Sequence, residues 1–556
     1  MISQADAYVQ AVRQYCDKVL AVGADTYGSK QTPLLVDGVD ARTLEPVRWH
    51  YRDLVWIPAN LANHQNLFRT LAGLSAQTGD AHYRQAAVEA MKYGIDNLQS
   101  PSGLLYWGGH TTYDVLSDEW VGRHKPNPKA SPFHEFMNHL PYYGLMHEID
   151  PDYTNRFLGL LWSGHVVDWS RLEIDRHARL AKPTSQPDWD APYAGGPVFY
   201  LSYGRSFAPI GTDLIYAGAT LYLYTGNQKA LAWAKRLAHR YVETRDPKSG
   251  LRSGIYNHKE DPDRADTQFG DALPGHVVSE ATMWSPHTCI TADRAWMMIG
   301  EQLGPDGAEL IQWALEDLRA CATAGYDPQR RVFQGLLIDG TNVEKVGMTR
   351  GGYFGKAGTP ICSPTGVGPW TFCTYALAAR ISDDAFFWDM AREFAQVRKL
   401  GDIGARCGDA PALSADCEST EPEDIVGLLH LYHKAARPEY LQQACRIADN
   451  ILAHKRVGDL FVADPHFQYT RLDSPDALVL LQLAALIKGQ EQAVPPWRFG
   501  ASYFACEWED SKSYVYDYRL YSRRPRAPDS QPAATAPTRP GPAAPTQSTP
   551  SAPEGD

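Results

Sequence analysis

The sequence lacks a basic excess. Lys+Arg number 53 and Asp+Glu 65, a formal net charge of −12 over 556 residues. That excludes a nucleic-acid binder of the usual basic kind. It leaves room for an acidic ligand, because a local basic cleft can sit in an acidic protein. The sequence also lacks any C-x-x-C pair. Its nine cysteines are scattered, and their number is odd. They read as reduced, mostly buried thiols, neither a disulfide frame nor a cysteine zinc site. The first residues, MISQADAYVQAVRQYCDKVL, have no basic stretch followed by an apolar one, so no signal peptide is expected. No apolar run reaches the roughly 18 residues of a membrane span. The expectation is therefore a cytoplasmic protein with no membrane and no nucleic-acid partner. Gly351-Gly352-Tyr353-Phe354-Gly355-Lys356 lacks the spacing of a phosphate loop, and no G-x-S-x-G nucleophile elbow occurs.

Aromatic residues are abundant: 15 Trp and 30 Tyr among them. Flat rings suit the faces of pyranose sugars, and equally suit a protein core. From Pro525 to Asp556 the composition changes to nine prolines, no aromatic residue, and mostly Ala, Ser, Thr and Gln. Such a segment buries too little apolar surface to offset its ordering entropy, so residues 525–556 read as a disordered tail after a single domain over 1–524.

That domain carries a loose repeat. Thr78-Gly79 opens a segment with apolar residues at helical spacing that stops at Gly103. Thr225-Gly226 opens another that stops at Gly250, and both span 24 positions from Gly to Gly. Looser copies begin at Leu303-Gly304 and at Ala436-Arg437-Pro438. Each unit reads as helix, tight turn, longer amphipathic helix and Pro/Gly stop. One hairpin cannot bury its apolar face alone, whereas several arranged in a ring can. The expected fold is all-α, an (α/α)n toroid with short strands and long loops at the end that carries the site; an open solenoid is the alternative.

Polar and aromatic residues concentrate between 107 and 205. Trp107-Gly108-Gly109-His110 comes first, then Pro132-Phe133-His134-Glu135-Phe136, then Glu173-Ile174-Asp175-Arg176-His177, and last Tyr203-Gly204-Arg205. Imidazole and carboxylate groups on separate loops can converge on Mn, Zn, Ni, Co or Fe, and the lack of thiolate disfavours a soft structural site. Most of the 18 histidines must be structural. His139 and His147 read so, on a helix from Phe133 to His147. Neighbours on such a helix point about 100° apart, so one of His134 and Glu135 is the ligand, not both. Arg176 has a plain alternative as a salt-bridge partner of Asp175 or Glu173.

On these residues the sequence resembles the family 2 polysaccharide lyases, pectate lyases built on an (α/α)7 barrel. Arg176-His177 stands where that family has its catalytic Arg followed directly by a metal-binding His. Glu135, 42 residues earlier, matches the family's metal-binding Glu, and His110 lies 25 residues before it. The resemblance implies a divalent transition metal, Mn first and Ni, Co or Zn next, held by His110, Glu135 and His177. It implies proton abstraction by Arg176, and an acidic oligosaccharide or polygalacturonate as substrate, cut by β-elimination to 4,5-unsaturated products.

Substrate carboxylates need partners as well. Arg205 and Arg350 sit in Gly/aromatic loops, where a guanidinium can hold a uronate in a fork. Tyr353 and Trp107 are candidates to stack on sugar rings. Each has a plainer reading as a loop-packing residue. A monomer that takes up short galacturonides is the resulting picture. The rivals are an (α/α)6 hydrolase or epimerase using paired carboxylates such as Glu280 with Glu418, and a non-catalytic glycan-binding helical-repeat protein.

Overall fold

The computed structural model describes residues 1–51, 54–122, 132–199, 206–257, 272–280, 287–351, 356–496, 505–507 and 514–522. The Pro-rich tail therefore lies outside the described residues.

Two kinds of helix alternate along the chain. One kind is buried nearly all round and sits inside: α2 (Gln65–Thr78), α6 (Ala208–Thr225), α8 (His287–Leu303), α10 (Pro369–Ile381), α12 (Pro422–Ala435) and α14 (Pro475–Ile487), with the two-turn α4 (Tyr143–Ile149) taking the place between α2 and α6. The other kind buries a single stripe: α3 (Ala81–Asn97), α5 (Pro151–His165), α7 (Gln228–Val242), α9 (Ala308–Ala320), α11 (Ala385–Val397) and α13 (Pro438–His454). A helix buried on all sides belongs in a core, and a one-striped helix belongs at its surface. Each inner helix packs on the outer helix that follows it. The first helix, α1 (Ile2–Gly23), packs on the last, α14, and α14 also meets α2. The ring is thus closed from seven helical hairpins among the described residues, as the resemblance implied. One apolar cluster runs through all seven.

The repeats seen in the sequence are these hairpins. Gly79 and Gly226 end α2 and α6 in the left-handed conformation, with φ of 75° and 71°, which a residue without Cβ adopts at no steric cost. Inner-to-outer turns are a few residues long. Outer-to-inner connections are long and carry nearly all the short strands. Because the two helices of each hairpin run antiparallel and the hairpins repeat in one sense, all the long connections collect at the end where the inner helices begin. At that end residues on separate connections, such as 110 and 177, meet.

One local expectation fails. Residues 133–147 do not form one helix. Phe133–His134 is a strand paired antiparallel with Ala178–Arg179, and α4 starts only at Tyr143. Asn138 and Leu140 have φ of 55° and 44°, outside the right-handed helical region. Pro141 lacks an N–H and disfavours helical geometry in the residue before it. His139 sits in this irregular stretch and His147 within α4.

Candidate metal and active site

The strand pair at Phe133–His134 and Ala178–Arg179 fixes the site. Its register sets His134 opposite Ala178 and Phe133 opposite Arg179. Just beyond the end of this ladder Glu135 meets His177, whose Nε2 is 3.4 Å from Glu135 Oε2. Directly opposed residues have Cβ atoms only about 5 Å apart, so two ligands 42 positions apart in the chain become neighbours. In extended backbone successive side chains alternate. His134 therefore points away from Glu135, and the choice between them is made by the strand.

His110 arrives on a different connection. It ends the Trp-Gly-Gly-His turn and leads into the strand Thr111–Asp114, which pairs with Glu119–Gly122. The turn lies directly on the backbone of Glu135. Gly109 N donates to Glu135 O at 3.1 Å. Gly108 has φ of 108°, and a Cβ there would stand 2.7 Å from the same carbonyl oxygen; only glycine fits. The Asn60 side chain holds Gly108 from both sides: Nδ2 donates to its carbonyl at 2.8 Å and Oδ1 accepts from its N–H at 3.1 Å.

The outcome is a compact cluster. His110 Nε2 lies 2.7 Å from Glu135 Oε2, and His177 Nε2 lies 3.4 Å from that same oxygen. The rings of His110 and His177 meet edge to face, 5.0 Å between centroids. Ligand atoms of all three residues fall within 4.8 Å of one another. Arg176 Nε is 3.8 Å from Glu135 Oε1, and its guanidinium lies over the Phe207 ring at 5.2 Å. Burial pushes the Glu135 carboxyl up, but His177 and His110 outweigh it and hold the group well below the usual carboxylate range. Burial lowers the His177 imidazole against the pull of Glu135, and the neutral form is the one that offers a lone pair.

These residues suit a divalent metal. Two imidazole nitrogens and one carboxylate oxygen match the donor set of catalytic sites that keep a position open for water or substrate. His177 Nε2 is buried and makes no well-formed hydrogen bond, a polar atom that a bound cation would satisfy.

Sequence reasoning missed the support behind the cluster. His134 Nδ1 meets His165 Nε2 at 3.1 Å, and His165 Nδ1 meets the carbonyl of Asp175 at 2.7 Å. Asp175 N in turn donates to His165 O, and Asp175 Oδ1 accepts from His177 N. His165, at the end of α5, therefore ties the strand before Glu135 to the loop before His177. On the other side, Asp213 of α6 accepts the N–H groups of His139 and Leu140 at 2.8 and 2.9 Å. No spacing rule points to His165 or Asp213, because each acts across long sequence separations.

The substrate-binding expectations fare unevenly. Trp107 is corrected: it is 1% exposed and packs on Phe136 and Phe157, so its ring faces the core and offers no surface to a sugar. Arg350 is exposed on its loop. Arg205 and Tyr353 lie outside the described residues. Of the rival carboxylate pair, Glu280 accepts from His276 and from the Val277 amide, while Glu418 is exposed in the connection before α12. No hydrogen bond or ion pair joins the two.

Comparison with known proteins decides the family. The family model described as periplasmic pectate lyase matches residues 32–507. The chain belongs to the periplasmic pectate lyase family. A pectate disaccharide-lyase of Dickeya dadantii (strain 3937) is 28% identical over 519 residues, covering 88% of this chain and 91% of that protein. Among solved structures, a D-mannose isomerase covers 80% of this chain and 96% of its own (13% identity, TM-score 0.39). A family 76 glycoside hydrolase (mannosidase) of Bacteroides thetaiotaomicron covers 87% and 99% (11% identity, TM-score 0.39). Those likenesses are too loose to bear on function. The chain is thus a polysaccharide lyase. The expectation of a cytoplasmic protein is overturned, since the family is a periplasmic one. That expectation rested on the first residues alone, and where this sequence begins does not fix its compartment. Among the described residues no helix is long and apolar enough to cross a membrane.

Proposed function

We infer that this lyase is metal-dependent and cleaves α-1,4-linked galacturonides by β-elimination. The convergence of His110, Glu135 and His177 beside Arg176 carries the reading. The C5 proton of a uronate is weakly acidic, and its removal places charge on the neighbouring carboxylate. A divalent cation at the three ligands, Mn first and Ni, Co or Zn next, supplies Lewis-acid stabilisation of that charge, an effect worth several kcal/mol.

The protein's own groups do the rest. Glu135 stays ionised and orients both imidazoles. Arg176, held between Glu135 and the Phe207 ring, takes the C5 proton. The C5–H electron pair becomes the C4=C5 bond, and the O4-linked sugar leaves. A guanidine acts as a base only where water is excluded and adjacent positive charge disfavours its protonated form. Arg176 is 22% exposed and stands 3.8 Å from the Glu135 carboxylate, so the positive charge that would free its base form has to come from a cation held by the three ligands. Arg350, exposed on its loop, is the candidate to fork a second uronate.

The test is turnover of polygalacturonate after metal stripping and Mn²⁺ readdition, followed by the ultraviolet absorbance of the unsaturated product. Wild type regains activity with metal. Arg176→Ala loses at least about a thousandfold, the scale of a lost proton-transfer group, while its metal content is retained. Product without that absorbance, formed in the presence of chelator, would establish a hydrolase instead.

A further inference from the structure

The strand pair beside the cation cluster has two faces, and contacts assign both. His134 and Ala178 face the barrel. His134 is buried against His165 of α5. Ala178 is 0% exposed and lies against Gly164 of the same helix, where an added Cβ would stand 3.0 Å from the Ala178 Cβ. Successive side chains alternate in extended chain, so Phe133, Glu135, His177 and Arg179 share the other face. The rings of Phe133 and His177 bear this out, with 5.2 Å between centroids. Two of these four belong to the cation cluster. The other two, Phe133 and Arg179, stand directly opposite each other on the ladder.

Of the four, Arg179 is the exposed one. Among the described residues its side chain has no hydrogen-bond or ion-pair partner. Arg176 differs, because Glu135 and the Phe207 ring hold it. Same-face neighbours on a strand lie about 7 Å apart. Arg179 is therefore set about one sugar ring away from His177, by the same backbone pairing that positions the ligands. An exposed guanidinium held at a fixed offset from the cluster, with no described carboxylate upon it, is suited to fork a carboxylate from outside.

We propose that Arg179 binds the carboxylate of the uronate next to the one at the cation cluster. This rests on the substrate being a galacturonide. Two acidic groups on successive sugars are then read together, one at the cluster and one at the guanidinium. Arg179 acts in binding and takes no part in moving the C5 proton.

Steady-state turnover of polygalacturonate by the full chain loaded with Mn²⁺ tests it. Arg179→Ala should raise KM about tenfold, the scale of one hydrogen bond to a charged group, with kcat little changed. Arg179→Lys keeps the charge but loses the fork and should recover part of the loss, whereas Arg179→Gln should not. Methyl esterification removes the carboxylate that the guanidinium reads. The preference for polygalacturonate over methyl-esterified pectin should therefore shrink in Arg179→Ala. Mn²⁺ affinity, measured without substrate, should match wild type in all three variants. An unchanged KM, an unchanged ester preference or weakened Mn²⁺ binding overturns the proposal, the last by making Arg179 a support of the ladder. Wild type that forms no unsaturated product from polygalacturonate overturns the galacturonide reading and this proposal with it. Normal wild-type turnover with unaltered variants overturns this proposal alone.

Discussion

Two groups of buried carboxyls behave in opposite ways. At the loop end of the barrel, Glu135 is held ionised by the imidazoles of His110 and His177. Elsewhere in the core, in or just before the inner helices α6, α14 and α12, burial pushes Asp213 and Asp473 up to about 7 and Glu423 to about 8. All four are removed from water. The interior acids accept backbone N–H groups, as Asp213 does from His139 and Leu140, but for them desolvation wins. What separates the two groups is imidazole contact: His177 and His110 offset the desolvation of Glu135, where backbone amides do not offset that of Asp213. Glu135 is built to present charge, and Asp213 is built to hold a loop.

Removing the charge at the catalytic end breaks this contrast most severely. Glu135→Gln keeps the shape and one acceptor oxygen but removes the anionic ligand between the two imidazoles. Metal affinity, read by Mn²⁺ titration, should fall by more than about a hundredfold, above what lost support residues cost, and turnover should fall with it. Next comes His165→Ala, which cuts the tie between the Glu135 strand and the His177 loop. It should weaken metal binding by about 10–100-fold, and His165→Gln, able to keep one of the two hydrogen bonds, should recover part of the loss. Unchanged affinity in His165→Ala would mean that the strand pair alone positions the ligands.

The interior group is tested by pH. A carboxyl raised from 3.8 to about 7 binds its proton more tightly in the folded protein. Its stabilising effect is complete below the unfolded value and is lost as pH rises towards 7, a change on the order of 4 kcal/mol. Asp213→Asn keeps an acceptor for the His139 and Leu140 amides and removes the titration. Urea midpoints at about pH 5 and about pH 8 should therefore differ less in the variant than in wild type. Equal differences would assign the pH dependence to Asp473 and Glu423. The smallest effect is expected at Trp107→Phe: a loss of about 1–3 kcal/mol in stability from the core, with KM for polygalacturonate unchanged. A raised KM would return Trp107 to the substrate.

The ring was legible because its turns are written locally. Gly79 and Gly226 end helices where the chain must turn left-handed, and the apolar spacing on either side shows which faces are buried. The number of hairpins was not legible, because α4 has only two turns and too few apolar positions to show a period. The ligand trio came from likeness to a family, not from spacing. A helix from Phe133 to His147 was expected, and Phe133, Phe136, Leu140 and Tyr143 do imitate a helical stripe; Pro141 was the local sign against it. Trp107 and Tyr106 show the same limit on a finer scale. In irregular extended chain, one position decides whether a ring enters the core or stays half-buried, and only tertiary packing tells which.

The two-rung ladder between Phe133–His134 and Ala178–Arg179 has a consequence for how this enzyme can vary. A ladder has period two, so a single inserted residue on either side turns every side chain beyond it to the opposite face. Glu135 and His177 would then miss each other with both still present in the chain. Change in length on one strand is tolerable only with a matching change on the other, which binds two distant stretches into one unit of variation while the loops around them remain free to drift.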